Sequence, residues 1–392
     1  MIEALNHPVV LALTATASPL VRREIIERLG MVKPAEIVRG FNRPNIHLSV
    51  RLFHEEAEKR QSLLKALSAA QMPGIVYVAT RKAAERIAQD LADSGLSAAA
   101  YHAGMKGCDR DEVQTRFMQN EIDIIVATTA FGMGIDKADI GFVYHYHVPG
   151  SVDAYYQEIG RAARNGESAA AILFYLADDM KLQRFFSGGA QLEAETMAEL
   201  AEFLEVTETP PTETQLKEHF DLSWAKIRAA LDSLESAGFI ERGSGGEIVE
   251  VAEVSDVDSA VDQALSVQRR RKQFDRSRLE MMRGYAETEG CRRKYVLSYF
   301  GEVLENACEG CDHCEQKSKE QKGKDPSDAK AEKSEICYLQ PFPVGSTIIH
   351  TSFGKGQVMR YEKEKVNVLF ETVGYKTFVT KLIEHTVTCM AL

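Results

Sequence analysis

Between residues 49 and 187, short apolar runs alternate with amphipathic stretches. Gly74–Ala79, Ser97–Tyr101, Ile122–Ala127, Gly141–Tyr146 and Ala169–Tyr175 have the near-continuous apolar character of strands buried on both faces. Lys82–Ser94, Arg110–Asn120 and Val152–Gly160 read as helices between them. This alternation predicts a parallel, doubly wound α/β domain, in which ligands bind beyond the carboxyl ends of the strands. Thr80-Arg81 and Thr128–Asp136 follow directly after two such strands and are where chemistry is expected. Upstream, Val9–Leu13 reads as another buried strand, and Ser18-Pro19 as the start of a helix. A buried strand needs parallel neighbours that 48 residues cannot supply. Residues 1–48 are therefore expected to be the end of a larger sheet.

The pattern changes after residue 189. Leu192–Leu204, Glu213–His219 and Trp224–Ala237 read as three helices. Phe239–Arg242, a Gly-Ser-Gly-Gly turn and Glu247–Val254 read as a hairpin. Three helices and a hairpin over 190–255 predict a winged helix. Residues 256–285 read as one long helix with Arg269, Arg270, Arg271 and Lys272 near its middle. A cysteine-bearing segment follows and closes at residue 315. Residues 316–340 are polar and aperiodic, and predict a flexible linker. Residues 341–392 are rich in Val, Ile, Phe, Thr and Gly with alternating runs, and predict a small β-barrel.

The chain has 392 residues, enough for several cored domains, and 44% apolar with 27% charged residues excludes wholesale disorder. No apolar run is long enough to span a bilayer and the N-terminus lacks a signal-peptide layout, so a cytoplasmic protein is expected. The formal charge is −11. Any nucleic-acid contact must therefore use local basic patches.

Four of the seven cysteines form Cys291-x16-Cys308-x2-Cys311-x2-Cys314. Four thiolates at this spacing can close a tetrahedral Zn2+ site. His313 is a competing ligand that fits less well, and Cys108, Cys337 and Cys389 are read as lone thiols. Arg292 and Arg293 follow the first ligand and, like the 269–272 run, could bind phosphates or form a solvated face.

Two further segments carry chemistry. In Gln157-Glu158-Ile159-Gly160-Arg161-Ala162-Ala163-Arg164, two arginines three apart leave a helix end from nearly one face. Guanidinium forks onto phosphate oxygens, and such an arginine stabilises the charge of a departing γ-phosphoryl group. In Val126–Asp136 a buried strand opens into a loop with Thr128, Gly132, Gly134 and Asp136, where backbone N–H groups and hydroxyls can hold a phosphate.

Together these segments resemble the second motor lobe of superfamily-two helicases, and more closely the RecQ family of DNA helicases. The resemblance is carried by Leu13–Ala17, Phe41–Ile46, Ala98–Gly104, Val126–Asp136, Gln157–Gly166 and the cysteine spacing. It covers residues 9–187 and resumes at about 274–315. It implies a RecA-like parallel-sheet motor lobe at 49–187, preceded by the remnant of a first lobe and followed by a zinc module at 256–315. It also implies roles. Arg161, Arg164 and Gln157 act at the ATP γ-phosphate. Gly134 and Asp136 lie at the nucleotide. Thr80, Arg81 and Thr128 contact the tracked DNA strand, and Thr14 and Thr16 couple ATP state to DNA grip.

Ala163, Asn165 and Asp136 depart from the residues of the family's motifs. The first two are expected to leave the flanking arginines in place, and the partner of Asp136 is open. The 392 residues contain no G-x-x-x-x-G-K-[ST] and no DEAH-type segment for Mg2+. The expectation is a 3′–5′ helicase of recombination or repair, acting on single-stranded and branched DNA with ATP and Mg2+ in the intact enzyme. This chain by itself is expected to lack ATPase activity. The alternative is a non-catalytic DNA- or protein-binding platform. An RNA helicase would not explain the cysteines. The tail around Val344–Gly356 is similar to SH3- or tudor-like domains of bacterial helicases, and would bind a protein partner or nucleic acid, or serve as a structural cap. The winged helix offers Lys226 and Arg228, whereas Leu222 and Trp224 are expected to pack its core.

Overall fold

Six parallel strands form the central sheet. The computed structural model describes residues 8–132, 135–188, 191–207, 209–243, 247–251, 257–304, 307–308, 310–322, 340–383 and 386–389. After helix α1 (Pro19–Arg28), the chain runs β1 (Ile46–Phe53), α2 (Glu56–Leu67), β2 (Gly74–Tyr77), α3 (Arg81–Asp93), β3 (Ala98–Tyr101), α4 (Gly107–Met118), β4 (Ile124–Ala127), β5 (Phe142–His145), α5 (Val152–Ile159), β6 (Ala169–Leu176) and α6 (Asp179–Gly188). The strand order is β1-β6-β5-β2-β4-β3. Every pairing in it is parallel.

The central strands β2, β4 and β5 are buried throughout, which is why they are written almost wholly in apolar residues. Helix α3 covers them with Ala83, Ala84, Ile87, Ala88 and Leu91, small enough for close helix–sheet approach. Its N-terminus is fixed by Thr80, whose hydroxyl accepts from Ala83 N at 3.1 Å. Gly74 has no freedom to change, because a Cβ there would lie 2.2 Å from the Phe142 ring.

The expected strand at Val9–Leu13 does not form. Leu11 and Leu13 are 78% and 83% exposed, and no described strand pairs with them. An apolar run becomes a parallel strand only beside a neighbour that takes its hydrogen bonds. The helix expected after Ser18 does form, with Pro19 as its first residue, although the Ser18 side chain makes no cap bond.

The chain separates into two compact units. One holds residues 184–277, including α7 (Ala194–Val206), α8 (Glu213–Phe220), α9 (Trp224–Ser236), β7 (Ile240–Arg242), β8 (Ile248–Val251) and the first part of the 31-residue helix α10 (Val257–Glu287). Three helices and an antiparallel pair match the winged-helix expectation, and most of the hairpin turn lies outside the described residues. Leu200, Leu204, Leu216, Ile227, Leu231 and Phe239 centre its core. Trp224 is not part of that core. It is 41% exposed, with Lys217 and Arg228 against its ring, while Leu222 packs on the core as expected.

The other unit holds the sheet, the cysteine segment and the C-terminal strands. Its cysteine segment contains α11 (Arg292–Tyr299) and α12 (Asp312–Lys322). Residues 316–322 are thus helical, a correction to the expected linker, of which 323–339 lie outside the described residues. The C-terminal strands β9 (Thr347–His350), β10 (Gly354–Glu362), β11 (Lys365–Phe370) and β12 (Gly374–Val379), then helix α13 (Thr380–Ile383) and strand β13 (Val387–Cys389), form a five-stranded sheet of order β12-β11-β10-β9-β13. This sheet is bound to the cysteine segment. The Arg360 guanidinium lies 3.5 Å from the Tyr295 ring centroid, Thr288 donates to Glu362 at 2.6 Å, and Tyr299 stacks on Tyr375 at 4.9 Å.

A buried polar cluster under α2 sets the acid limit of the lobe. Lys59 is fully buried and donates to Asp179 at 2.7 Å. His147 accepts from Ala79 N at 3.3 Å, and burial, with Lys59 and Arg86 nearby, pushes its pKa down to about 3. Burial pushes Asp179 up to about 6, against the pull of Lys59. As pH falls below about 6.5, His147 protonates in the unfolded chain but not in the folded one, so stability is lost toward pH 3. Asp179 acts in the opposite direction, taking a folded-state proton from about pH 6 down. The two largely offset, leaving a net loss of under about 1 kcal/mol between pH 6.5 and 4. His147→Asn, whose carbonyl can accept the same N–H, should leave the Asp179 effect alone and turn that loss into a gain of about 2 kcal/mol, read from thermal midpoints across this range. An unchanged acid limb would refute the assignment.

Candidate functional site

Helix α5 opens on Ser151, which accepts from Ala154 N, and ends at Gly160. The chain then turns sharply. Ala163 N donates to Ile140 O at 2.9 Å and Asn165 N to Ala138 O at 3.1 Å. Ala163 sits at φ +46°, the left-handed region, which costs a residue with a Cβ about 1–2 kcal/mol. The turn is held in that shape from outside. Arg43 donates to Ala162 O at 3.0 Å, Ala163 O at 3.3 Å and Gly160 O at 3.4 Å. Asn45 donates to the carbonyls of Ala163 and Glu167, both at 3.0 Å.

From this turn both arginines reach the 128–136 loop. Arg161 donates to Gly132 O, and a Cβ on Gly132 would lie 2.2 Å from Arg161 Nη2. Arg164 donates to Asp136 Oδ1 at 2.7 Å and to Ile135 O at 3.3 Å, which supplies the partner of Asp136. Tyr77 braces the loop from beneath by donating to Phe131 O at 2.9 Å, and burial, then the charge of Glu158, holds its phenol far above the usual range.

An open cleft of about 480 Å³ lies over this arrangement, lined by Thr16, Arg43, Asp136, Gln157, Arg161 and Arg164. Three guanidinium groups face one carboxylate. Among the described residues Arg161 Nε is buried with no hydrogen-bond partner. The cleft is thus chemically an anion site. Thr14 does not line it. It holds Thr16 in a local turn, donating to Thr16 O at 2.9 Å and accepting from Thr16 N at 3.2 Å. Gly134 lies outside the described residues. Arg43 is the residue that sequence reasoning missed. It stands within the Phe41–Ile46 segment, where a lone arginine between Asn and Pro carries no spacing signal.

Thr80, Arg81 and Thr128 lie just past the carboxyl ends of β2 and β4, neighbours in the sheet. Arg81 is exposed, makes no ion pair among the described residues, and crosses Gly104, where a Cβ would lie 2.8 Å from Nη1. These three residues form one polar edge.

The sulfurs of Cys291, Cys308, Cys311 and Cys314 all lie within 4.8 Å of one another. A tetrahedron with ~2.3 Å metal–sulfur bonds has edges of roughly 3.8 Å, so the cluster fits zinc. His313 is not in the cluster. Cys108 is an exposed free thiol, and Cys337 lies outside the described residues.

Arg292 and Arg293 correct a sequence expectation, because neither faces a phosphate. Both are buried. Arg292 spends its donors on Tyr285 O (2.6 Å), Ala286 O (3.2 Å) and Asp312 Oδ1 (3.2 Å). Arg293 donates to Arg43 O and Ile46 O, both at 2.6 Å, to Gly310 O at 3.2 Å and to Asn42 Oδ1 at 3.3 Å. The first turn of α11 presents these side chains inward, a direction that a charge run in sequence does not reveal.

The winged-helix-like stretch also departs from a DNA reader. Residues 190–255 hold fifteen Asp and Glu against four Lys and Arg, so this stretch alone accounts for the formal charge of the whole chain. Arg228 is engaged by Glu213 at 3.0 Å, and in the following helix Arg271 lies 3.6 Å from Asp232. Such a field disfavours phosphate.

A parallel α/β lobe whose converging arginines line an anion cleft is the class of the helicase motor lobe. The family model described as the helicase conserved C-terminal domain matches residues 58–166, and the RecQ zinc-binding model matches 251–315. The probable ATP-dependent DNA helicase RecS of Bacillus subtilis is 31% identical over 316 residues, covering 80% of this chain and 60% of that protein. The ATP-dependent DNA helicase RecQ of Haemophilus influenzae is 31% identical over 308 residues, covering 78% and 37%. The bifunctional 3′-5′ exonuclease/ATP-dependent helicase WRN of Mus musculus is 40% identical over 180 residues, covering 45% and 13%. These matches support a RecQ-family helicase of superfamily two. The chain spans less than two thirds of the length of each of these relatives. No described helix is long and apolar enough to cross a membrane.

Metal analysis should find one zinc per chain. Cys308→Ser should release it and lower the thermal midpoint by roughly 10 °C or more. A metal-free protein of undiminished stability would refute a structural zinc.

Proposed function

We propose that this chain supplies the arginine-bearing half of an ATP-driven DNA motor. The observation that carries the reading is the convergence of Arg161 and Arg164, with Gln157, on one open cleft. In this reading Arg161 and Arg164 take γ-phosphate oxygens, giving up the bond to Gly132 O and the ion pair with Asp136. Gln157, on the exposed face of α5 one turn before Arg161, lies near the nucleotide. The loop from Thr128 to Asp136 begins at the DNA-side edge and ends at Arg164, so a shift of either arginine is felt at Thr128.

Thr80, Arg81 and Thr128 hold the backbone of a single strand, which lobe closure moves 3′ to 5′ during recombination or repair. Branched duplexes are the wider substrate. Mg2+ and the β-phosphate require a phosphate-loop lysine and a metal carboxylate, and the 392 residues contain neither motif. The C-terminal sheet is a candidate protein-docking module. The setting is cytoplasmic.

The test is ATP turnover by the purified 392-residue polypeptide, with and without single-stranded DNA, beside a DNA titration. Salt-sensitive binding without turnover is expected. Arg81→Ala should weaken binding about three- to tenfold, one phosphate contact's worth. DNA-stimulated turnover would overturn the division of labour. Absence of DNA binding by the zinc-loaded chain would overturn the motor reading in favour of a protein platform. In the same titration, Lys226→Glu combined with Arg228→Glu should leave affinity unchanged, because the acidic stretch that carries them takes no part. A loss of affinity would restore the winged helix as a DNA reader.

A further inference from the structure

The structure assigns Arg293 and Arg43 to a positioning relay that links the zinc cluster to the turn bearing Arg161 and Arg164. Each step is a contact. Arg293 stands two residues after the ligand Cys291 and donates to Gly310 O, the carbonyl just before the ligand Cys311. The same guanidinium holds Arg43 O and Ile46 O at 2.6 Å, and Asn42 Oδ1. It therefore fixes the backbone on both sides of Arg43. The Arg43 side chain then grips the carbonyls of Gly160, Ala162 and Ala163. Those carbonyls belong to the turn from which Arg161 and Arg164 enter the cleft.

The relay has something to hold. Ala163 is in the left-handed region, and a strained residue stays there only when its surroundings over-determine it. Arg43 and Asn45 donate to the Ala163 carbonyl from outside the turn. Without them the turn can relax toward ordinary helical or extended backbone, which would swing both arginines. Arg43 also lines the cleft, but its donors are directed at the protein, so its role is to place the two arginines rather than to meet a phosphate itself. The zinc module is in this account part of the nucleotide site's frame.

The consequence for phosphate sensing rests on the function proposed above, but the coupling itself does not, and its test needs no ATPase activity. Amide hydrogen exchange of the full zinc-loaded chain reads the turn through the N–H groups of Ala163 and Asn165, bonded to Ile140 and Ala138. Arg43→Ala should speed exchange over 161–166 about tenfold or more and leave β2, β4 and β5 unchanged. Arg43→Lys, which can reach one carbonyl, should restore part of the protection. Arg293→Lys, and separately removal of zinc by a chelator, should reproduce the Arg43→Ala pattern. Lys181→Ala, at an exposed ion pair with Asp178 that belongs to neither the cysteine cluster nor the turn, should not.

Should Arg293→Lys fail to fold, Asn42→Ala removes one of its acceptors alone and should speed exchange in the same segment by a smaller factor. Zinc removal or Arg293→Lys that leaves 161–166 protected would overturn the relay. Exchange that rises uniformly across the lobe would also overturn it, reducing Arg293 to a general stabiliser. A chain that shows the localised pattern yet binds no nucleotide would keep the relay and overturn only the proposed function.

Discussion

One buried cation holds the larger unit together. Among the described residues no carboxylate pairs with the Arg293 guanidinium, whose donors go to three backbone carbonyls and one side-chain amide. Burying a charge is tolerable only when its donors are satisfied, and every one of these acceptors lies on a different piece of chain from α11. They belong to the segment before β1, to the start of β1 and to the loop between two cysteine ligands. The contact can form only when sheet, zinc loop and Arg43 are all in place. Neighbouring bonds reinforce it. Leu48 N donates to Gly310 O at 3.0 Å and Val50 N to Asp312 Oδ2 at 2.9 Å, so the zinc loop also covers the open edge that β1 would present.

Helix α5 shows how one element serves both ends of this frame. Its last turn delivers Arg161. Its first turn carries Asp153, which accepts from Arg278 at 3.0 Å, and Tyr155, whose hydroxyl meets that of Tyr285 at 2.9 Å. The cleft and the zinc module are thus packed on opposite ends of eight residues. The substitution of Ala at position 163, expected to be inconsequential, gains meaning here. The arginines remain in place, but the turn between them carries backbone strain that the Arg43 and Asn45 donors must offset.

The lobe was legible because its signals are local. Strand and helix periods from Gly74 to Tyr175 translated into elements within a few residues, and Thr80 capped the helix it precedes. The cysteine spacing brought four sulfurs together. Charge was the poorer guide. Arg292 and Arg293 look like a phosphate-binding run and are interior struts. Trp224 reads as core and is exposed. Val9–Leu13 reads as a strand and lacks the neighbour that would make it one.

Residue types and their spacing were enough to specify the parallel lobe, the thiolate cluster and the pair of arginines that leave a helix end together, because helical periodicity, strand burial and ligand spacing are short-range properties. Only the tertiary structure decided which cations face solvent and which hold carbonyls. It also revealed Arg43 as the grip on the arginine turn, and the C-terminal sheet as part of the same unit as the zinc module. For Arg43 and Arg293 those assignments depend chiefly on acceptors more than a hundred residues away, and such a partner cannot be read from the residues beside the guanidinium.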